Sequence, residues 1–154
     1  MRYRYWVSAG ASIIVGLIFI FSGIGKLLYQ NDFLGILLSN PLLTPTLARV
    51  AIYVLPWVES VLGALLIIGI SAKLMASLFL VLIVGFIANN SWLIAQGLAY
   101  KPCGCFGIFE RIFLGKLSTL DSLVFDIGIL ALVLIVLLCY SGKFFDNRIW
   151  FFRK

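Results

Sequence analysis

Histidine is absent from this sequence, and charged residues are scarce. The 154 residues contain no histidine, and only 12% of them are Asp, Glu, Lys or Arg. Without imidazole the chain lacks the commonest haem ligand, the usual nitrogen ligand of zinc or copper, and the commonest general base. The composition therefore disfavours a metal or haem protein. The fraction of charged residues is also far below the roughly 25% that is usual in soluble domains.

Apolar residues take the place of the missing charges. They make up 63% of the chain, and the mean hydropathy is +1.14. We therefore predict an integral membrane protein with one domain over residues 1–154. The net charge is +6, but the basic residues lie at the ends of apolar runs, where they set topology and contact lipid headgroups. The bilayer is the expected partner, and nucleic acid is not.

Four apolar runs are each long enough to cross a bilayer as a helix, which takes about 20 residues. The sequence predicts an all-α membrane protein, a bundle of four transmembrane helices with short interfacial helices on the outer side. The predicted spans are 6–29, 45–70, 74–96 and 120–140. The second span starts with threonine as N-cap and proline in the first helical position.

The distribution of basic residues predicts the orientation. Four spans place both termini on one side, and seven of the 12 Lys and Arg residues fall on that side. The positive-inside rule then puts both termini in the cytoplasm of a bacterial inner membrane. The outer connections, 30–44 and 108–118, are predicted to contain the interfacial helices. The second connection has its apolar residues on one helical face, which is typical of a helix at a membrane interface.

Two cysteines lie one residue apart in "KPCGCFG", residues 101–107, between the third and fourth spans. Cys103 and Cys105 can form a disulfide if a turn brings their Cα atoms within about 4.4–6.8 Å. So small a ring is strained, and strained, exposed disulfides exchange readily. Lys101 and Arg111 favour a thiolate, and disulfides persist in the outer compartment. These features are typical of a thiol–disulfide exchange site.

Two other interpretations of the cysteines stay open. Small Gly and Cys turns pack well, so the pair can be inert and structural. It can also be half of a metal site shared with another subunit, although two thiolates without histidine do not complete a tetrahedral site. Cys139 lies about 30 Å away, at the far end of the fourth span, and is interpreted as a small buried apolar residue.

Three charged residues fall inside the predicted spans. Glu59 lies near the middle of the second span, Lys26 in the outer part of the first, and Asp126 one to two turns inside the fourth. A charge at the bilayer centre costs at least about 2.5–3.5 kcal/mol, so each needs a partner or a proton. We expect the three to meet in the outer half of the bundle. They form either a structural ion pair or a proton or quinone site beneath the cysteines.

Three sequence elements carry a family resemblance: "FSGIGKLL" at 21–28, "LPWVESVLGALLIIGI" at 55–70 and "CGCFG" at 103–107. With these elements in this order on four spans, the chain resembles the MauE branch of the DoxX-like membrane proteins. The resemblance covers about residues 10–140.

The resemblance implies a redox function. The methylamine-utilisation member is implicated in maturing a disulfide-rich periplasmic dehydrogenase subunit, and DoxX and DoxD relatives are tied to thiosulfate–quinone or sulfur oxidation. Matched by motif, Lys26, Glu59, Cys103 and Cys105 are the implied site residues. The four-helix shape is also similar to quinone-coupled disulfide-forming enzymes, so a quinone is a possible cofactor. Those enzymes use C-x-x-C and usually a second cysteine pair, whereas this chain has one outer pair.

We therefore expect an inner-membrane protein that handles disulfides or electrons for an exported or membrane-bound protein partner. In this hypothesis Cys103 and Cys105 exchange with the partner, and Lys26, Glu59 and Asp126 support them. Whether the protein is itself an enzyme stays open. The alternative is a non-catalytic accessory or scaffold subunit of a larger membrane complex, which the small size and the lack of cofactor ligands favour.

Overall fold

The computed structural model of the chain describes residues 2–28, 30–38, 44–97 and 118–140. These residues form five helices, α1 (Arg2–Leu28), α2 (Gln30–Leu38), α3 (Pro45–Ile68), α4 (Ala72–Ala95) and α5 (Thr119–Cys139). Trp6–Leu28 of α1 and the whole of α3, α4 and α5 are long and apolar enough to cross a membrane. The predicted all-α fold with four transmembrane helices is confirmed.

The short helices beside the spans are described only in part. α2 is nine residues long and falls in the 30–44 segment, where an interfacial helix is expected. Its location at a membrane interface stays a prediction. The second expected interfacial helix, at 108–118, lies outside the described residues apart from Ser118.

The ends of the helices follow from local sequence. Thr44 caps α3, since its side chain accepts a hydrogen bond from the Leu47 amide at 3.4 Å, and Pro45 follows it. The helix ends at Ile68 rather than at residue 70 because Gly69 adopts φ 86°, a left-handed conformation that glycine takes without steric cost. At the start of α5, the side chain of Ser118 and that of Asp121 cap each other's backbone amides.

α1 is the central helix of the bundle. It packs most extensively against α3 and also against α5, while α4 packs mainly against α5. In the most apolar stretch of each span, 44% of the α1 residues are buried, compared with 22–28% in the other three helices. The remaining helices present most of their apolar side chains outward, as expected of surfaces that face lipid tails.

Glycine allows α1 and α3 to approach closely. A Cβ atom added to Gly16 would lie 2.7 Å from the carbonyl oxygen of Gly63, and one added to Gly63 would lie 2.7 Å from that of Gly16. Small residues that let two backbones meet in this way are a common source of packing energy between membrane helices. Without an adjustment of the backbones, the contact leaves no room for a side chain at either position.

The helix contacts define one end of the bundle that matters for the site. α1 and α4 run in the same direction. Phe19 contacts Phe79, and two turns further along each helix Lys26 contacts Phe86. α1 and α4 therefore finish, and α3 and α5 begin, at a common end. We call it the loop end, because residues 98–117 connect α4 to α5 there.

Candidate functional site

Lys26 of α1 and Glu59 of α3 form a buried ion pair. The Nζ atom of Lys26 lies 2.6 Å from Oε1 and 2.8 Å from Oε2 of Glu59. The two side chains are 1% and 0% exposed. The structure thus brings together two of the three charges that the sequence places inside the membrane, and each neutralises the other.

The direction of the helices explains why these side chains meet. A helical side chain tilts toward the N-terminus of its own helix. Lys26 is close to the end of α1, so the tilt carries its ammonium group inward, away from the loop end. Glu59 belongs to the antiparallel α3 and tilts toward the loop end. The two charges therefore approach each other from opposite directions.

Two further side chains surround the ion pair. Lys26 Nζ donates a hydrogen bond to Ser22 Oγ at 3.1 Å, and Ser22 Oγ donates to Glu59 Oε2 at 3.4 Å. The ammonium nitrogen also lies 4.6 Å from the ring centroid of Phe86 on α4, within the range of a cation–π interaction. The ion pair is thus enclosed by α1, α3 and α4.

Asp126, the third predicted charge, has a different partner. Its Oδ2 accepts a hydrogen bond from Asn90 Nδ2 at 2.8 Å, and both side chains are buried. Among the described residues, no Lys or Arg nitrogen lies within salt-bridge distance of Asp126. The three charges therefore do not form one cluster as expected. They belong to two neighbouring polar pairs, Lys26–Glu59 and Asn90–Asp126.

A small pocket separates the two polar pairs. It has room for about one water molecule. Its lining residues are Ile18, Phe19, Ser22, Lys26, Phe86, Asp126 and Ile129. This pocket is much smaller than a quinone ring, and the quinone named as a possible cofactor stays a prediction through which we derive no step. In the described part of the chain, no group of three or more His, Cys, Asp or Glu side chains is arranged to hold a metal ion.

The buried face of α5 carries two more polar residues that the sequence analysis did not single out. Thr119 and Ser122 are 1% and 0% exposed and lie two turns and one turn, respectively, before Asp126 on the same face. Their spacing of three and four residues in an otherwise apolar helix is the signal that could have identified them. The Oγ atom of Ser122 has no hydrogen-bond partner in the described structure.

The three cysteines are placed unequally by the structure. Cys103 and Cys105 belong to the 98–117 segment, outside the described residues. The chain enters and leaves this segment from the loop end, near which Lys26, Asn90 and Asp126 lie. Cys139 is the last residue of α5, at the opposite end, and it is half-buried.

The chain matches a known protein family along most of its length. The sequence profile of the family described as "Methylamine utilisation protein MauE" matches residues 4–140, which include all four membrane-spanning segments. No curated protein and no solved structure matches the chain significantly.

Proposed function

Because the chain belongs to the MauE family, we propose that it takes part in thiol–disulfide or electron-transfer chemistry for an exported redox partner. Cys103 and Cys105 form the reacting pair in this proposal. The family description refers to methylamine utilisation and names no reaction. The proposal therefore draws its chemistry from the residues of this chain.

The observation that supports the proposal is the concentration of buried polar groups near the loop end. Lys26 with Glu59 and Asn90 with Asp126 are all within 4% of full burial. Well-packed apolar residues of similar volume often replace a buried ion pair with no loss of stability. Ionisable groups kept inside a membrane are by default a functional hypothesis. These groups lie beneath the attachment points of the segment that contains the cysteines.

The proposed exchange balances with two protons and two electrons. A thiolate of the partner attacks the Cys103–Cys105 disulfide, so one S–S bond breaks and a mixed disulfide forms. A second thiolate of the partner then attacks the mixed disulfide and releases the reduced pair. The partner loses two electrons and gains a disulfide, while Cys103 and Cys105 gain the electrons. The two protons that the partner's thiols release end on the reduced sulfurs of Cys103 and Cys105, so the exchange releases no net proton.

The proposal also assigns an orientation. Both termini lie in the cytoplasm of a bacterial inner membrane, since most of the basic residues fall on that side. The 98–117 segment then faces the outer compartment, where disulfides persist and exported partners are folded.

Trapping of the mixed disulfide tests the proposal. In a Cys139→Ser background, Cys103→Ser and Cys105→Ser are compared, together with the double variant, in intact cells. We expect one single variant, but not both, to accumulate a covalent adduct that disappears on reduction. In the reverse direction of the exchange, one of the two cysteines attacks the partner's disulfide, and the other cysteine resolves the mixed disulfide, so only loss of the resolving cysteine traps it. The double variant should insert normally and form no adduct.

A different pattern would favour the accessory-subunit alternative. In that case both single variants behave alike, no adduct forms, and the double variant keeps the phenotype of the unmodified protein. Purification in mild detergent would then recover the chain with a stoichiometric set of other subunits.

A further inference from the structure

Three buried polar side chains run along α5 from the loop end into the bundle. Thr119, Ser122 and Asp126 share the face that packs against the other helices, and each is at most 4% exposed. At 1.5 Å per residue, they extend over about 10 Å of the helix axis. This row of three side chains begins next to the 98–117 segment and ends at the pocket that Lys26 lines.

Ser122, the middle residue of this row, is incompletely hydrogen-bonded in the described structure. Ser122 Oγ is fully buried and has no partner in the described structure. An unsatisfied buried hydroxyl is costly, and native proteins usually satisfy such a group with an ordered water. The Cβ atoms of residues three or four positions apart on a helix are about 5–6 Å from each other. One water molecule between them is the bridge that this spacing fits.

The two buried carboxyl groups differ in how they are held. Glu59 accepts hydrogen bonds from Lys26 and Ser22, and the lysine charge compensates its own. Among the described residues, Asp126 accepts one hydrogen bond, from the neutral amide of Asn90, and it borders the water-sized pocket. In the described part of the chain, the charged groups that face this region are Lys26 from α1 and Glu59 from α3, and these two form an ion pair with each other. Of these two carboxyl groups, Asp126 is thus the one that has no bonded cation among the described residues to fix its protonation state.

We propose that Thr119, Ser122 and Asp126 form a water-bridged proton path from the loop end to the pocket beside Lys26, with Asp126 as its proton-binding group. The purpose of the path rests on the proposed function, because each step of thiol–disulfide exchange removes a proton from one thiol and returns a proton to another at the loop end. The path itself depends only on the described helices.

Infrared spectroscopy of the full-length protein in lipid nanodiscs reads the proton-binding group directly. The C=O stretching band of a protonated carboxyl group shifts when deuterium replaces its proton. The band of Asp126 is identified at acidic pH as the one that Asp126→Asn removes and Glu59→Gln keeps. After a switch from H2O to D2O, the rate of the band shift measures how fast protons reach Asp126.

Ser122→Ala and its matched control Ser12→Ala then test the path. Ser12 on α1 is also fully buried without a hydrogen-bond partner in the described structure, but it lies about 15 Å from Ser22 along the helix, toward the opposite end. We expect Ser122→Ala to slow the exchange at Asp126 about tenfold, because it removes one hydrogen-bonded step. Ser12→Ala should leave the rate unchanged.

Two results would overturn the proposal. One is equal exchange rates in Ser122→Ala and Ser12→Ala, and the other is the absence of any titrating carboxyl band that Asp126→Asn removes. The same measurement on the Cys103→Ser, Cys105→Ser double variant separates this proposal from the proposed function. Its exchange rate should match that of the unmodified protein, even if the trapping of a mixed disulfide fails.

Discussion

The Nζ atom of Lys26 contacts both carboxylate oxygens of Glu59, at 2.6 and 2.8 Å, between two helices that cross the membrane. Removal of the cation alone leaves a buried anion without compensation. Lys26→Met should therefore lower the free energy of unfolding by about 3–5 kcal/mol, whereas Lys26→Met combined with Glu59→Gln should recover most of the loss. Unfolding in mild detergent, followed for both single variants and the double variant, measures the coupling.

Lys73→Met is the matched control for this cycle. Lys73 is half-buried near the start of α4, and among the described residues it forms no ion pair. Its replacement should change the free energy of unfolding by at most about 0.5 kcal/mol. Equal losses in Lys26→Met and in the double variant would show that the two charges do not depend on each other.

The contact between Asn90 and Asp126 makes a second stability prediction. Asn90→Leu removes the one hydrogen-bond donor that the described structure provides to Asp126. We expect a loss of about 1–3 kcal/mol, the usual cost of an unsatisfied buried group. Ser91→Leu, at an exposed neighbouring position, should have little effect. If thermal unfolding gives the same midpoint for both variants, Asn90 does not stabilise Asp126.

The contact between Gly16 and Gly63 predicts opposite effects of the same substitution at two glycines. Gly63→Ala inserts a methyl group against the α1 backbone and should destabilise the bundle by about 1–3 kcal/mol. Gly85→Ala on α4 meets no atom within 4 Å, so it should stabilise the helix by about 0.5–1 kcal/mol. A chemical or thermal denaturation series of the two variants compares them. Equal stability would contradict the close packing of α1 and α3.

The proposed orientation predicts which thiols are reached from outside the cell. After reduction, a membrane-impermeant thiol reagent applied to intact cells should label Cys103 and Cys105. Cys139 should stay unlabelled, because it lies at the opposite end of α5. Mass spectrometry of the labelled protein assigns each site. Labelling of Cys139 alone would reverse the orientation and remove the argument from the oxidising compartment.

Much of the fold was predictable because membrane spans depend on length and apolarity, which a sequence displays directly. The start of α3 was predictable for a local reason, since Thr44 and Pro45 suit only the first positions of a helix. Its end was placed two residues too late, because apolarity continues through Gly69 and Ile70 while the backbone turns at the glycine.

The site was predictable only in part because a sequence gives the depth of a charge but not the rotation of its helix. The depths of Lys26 and Glu59 sufficed to expect that they meet. The pairing of Asp126 with Asn90 depends on how α4 and α5 are rotated against each other, which is set by packing along their whole length. Ser122 was missed for a simpler reason, since a serine in a membrane helix is common and carries no charge.

The central position of α1 has a consequence for biogenesis. α1 precedes the other three described spans in the chain, yet it has the largest buried fraction of the four. Its main neighbour, α3, begins at Pro45, and its second neighbour, α5, does not begin until Thr119. The surface of α1 that faces α5 must therefore remain covered by lipid, by the insertion machinery or by a chaperone until α5 has been translated. The charge of Lys26 is likewise neutralised by Glu59 inside the membrane only after α3 has been inserted.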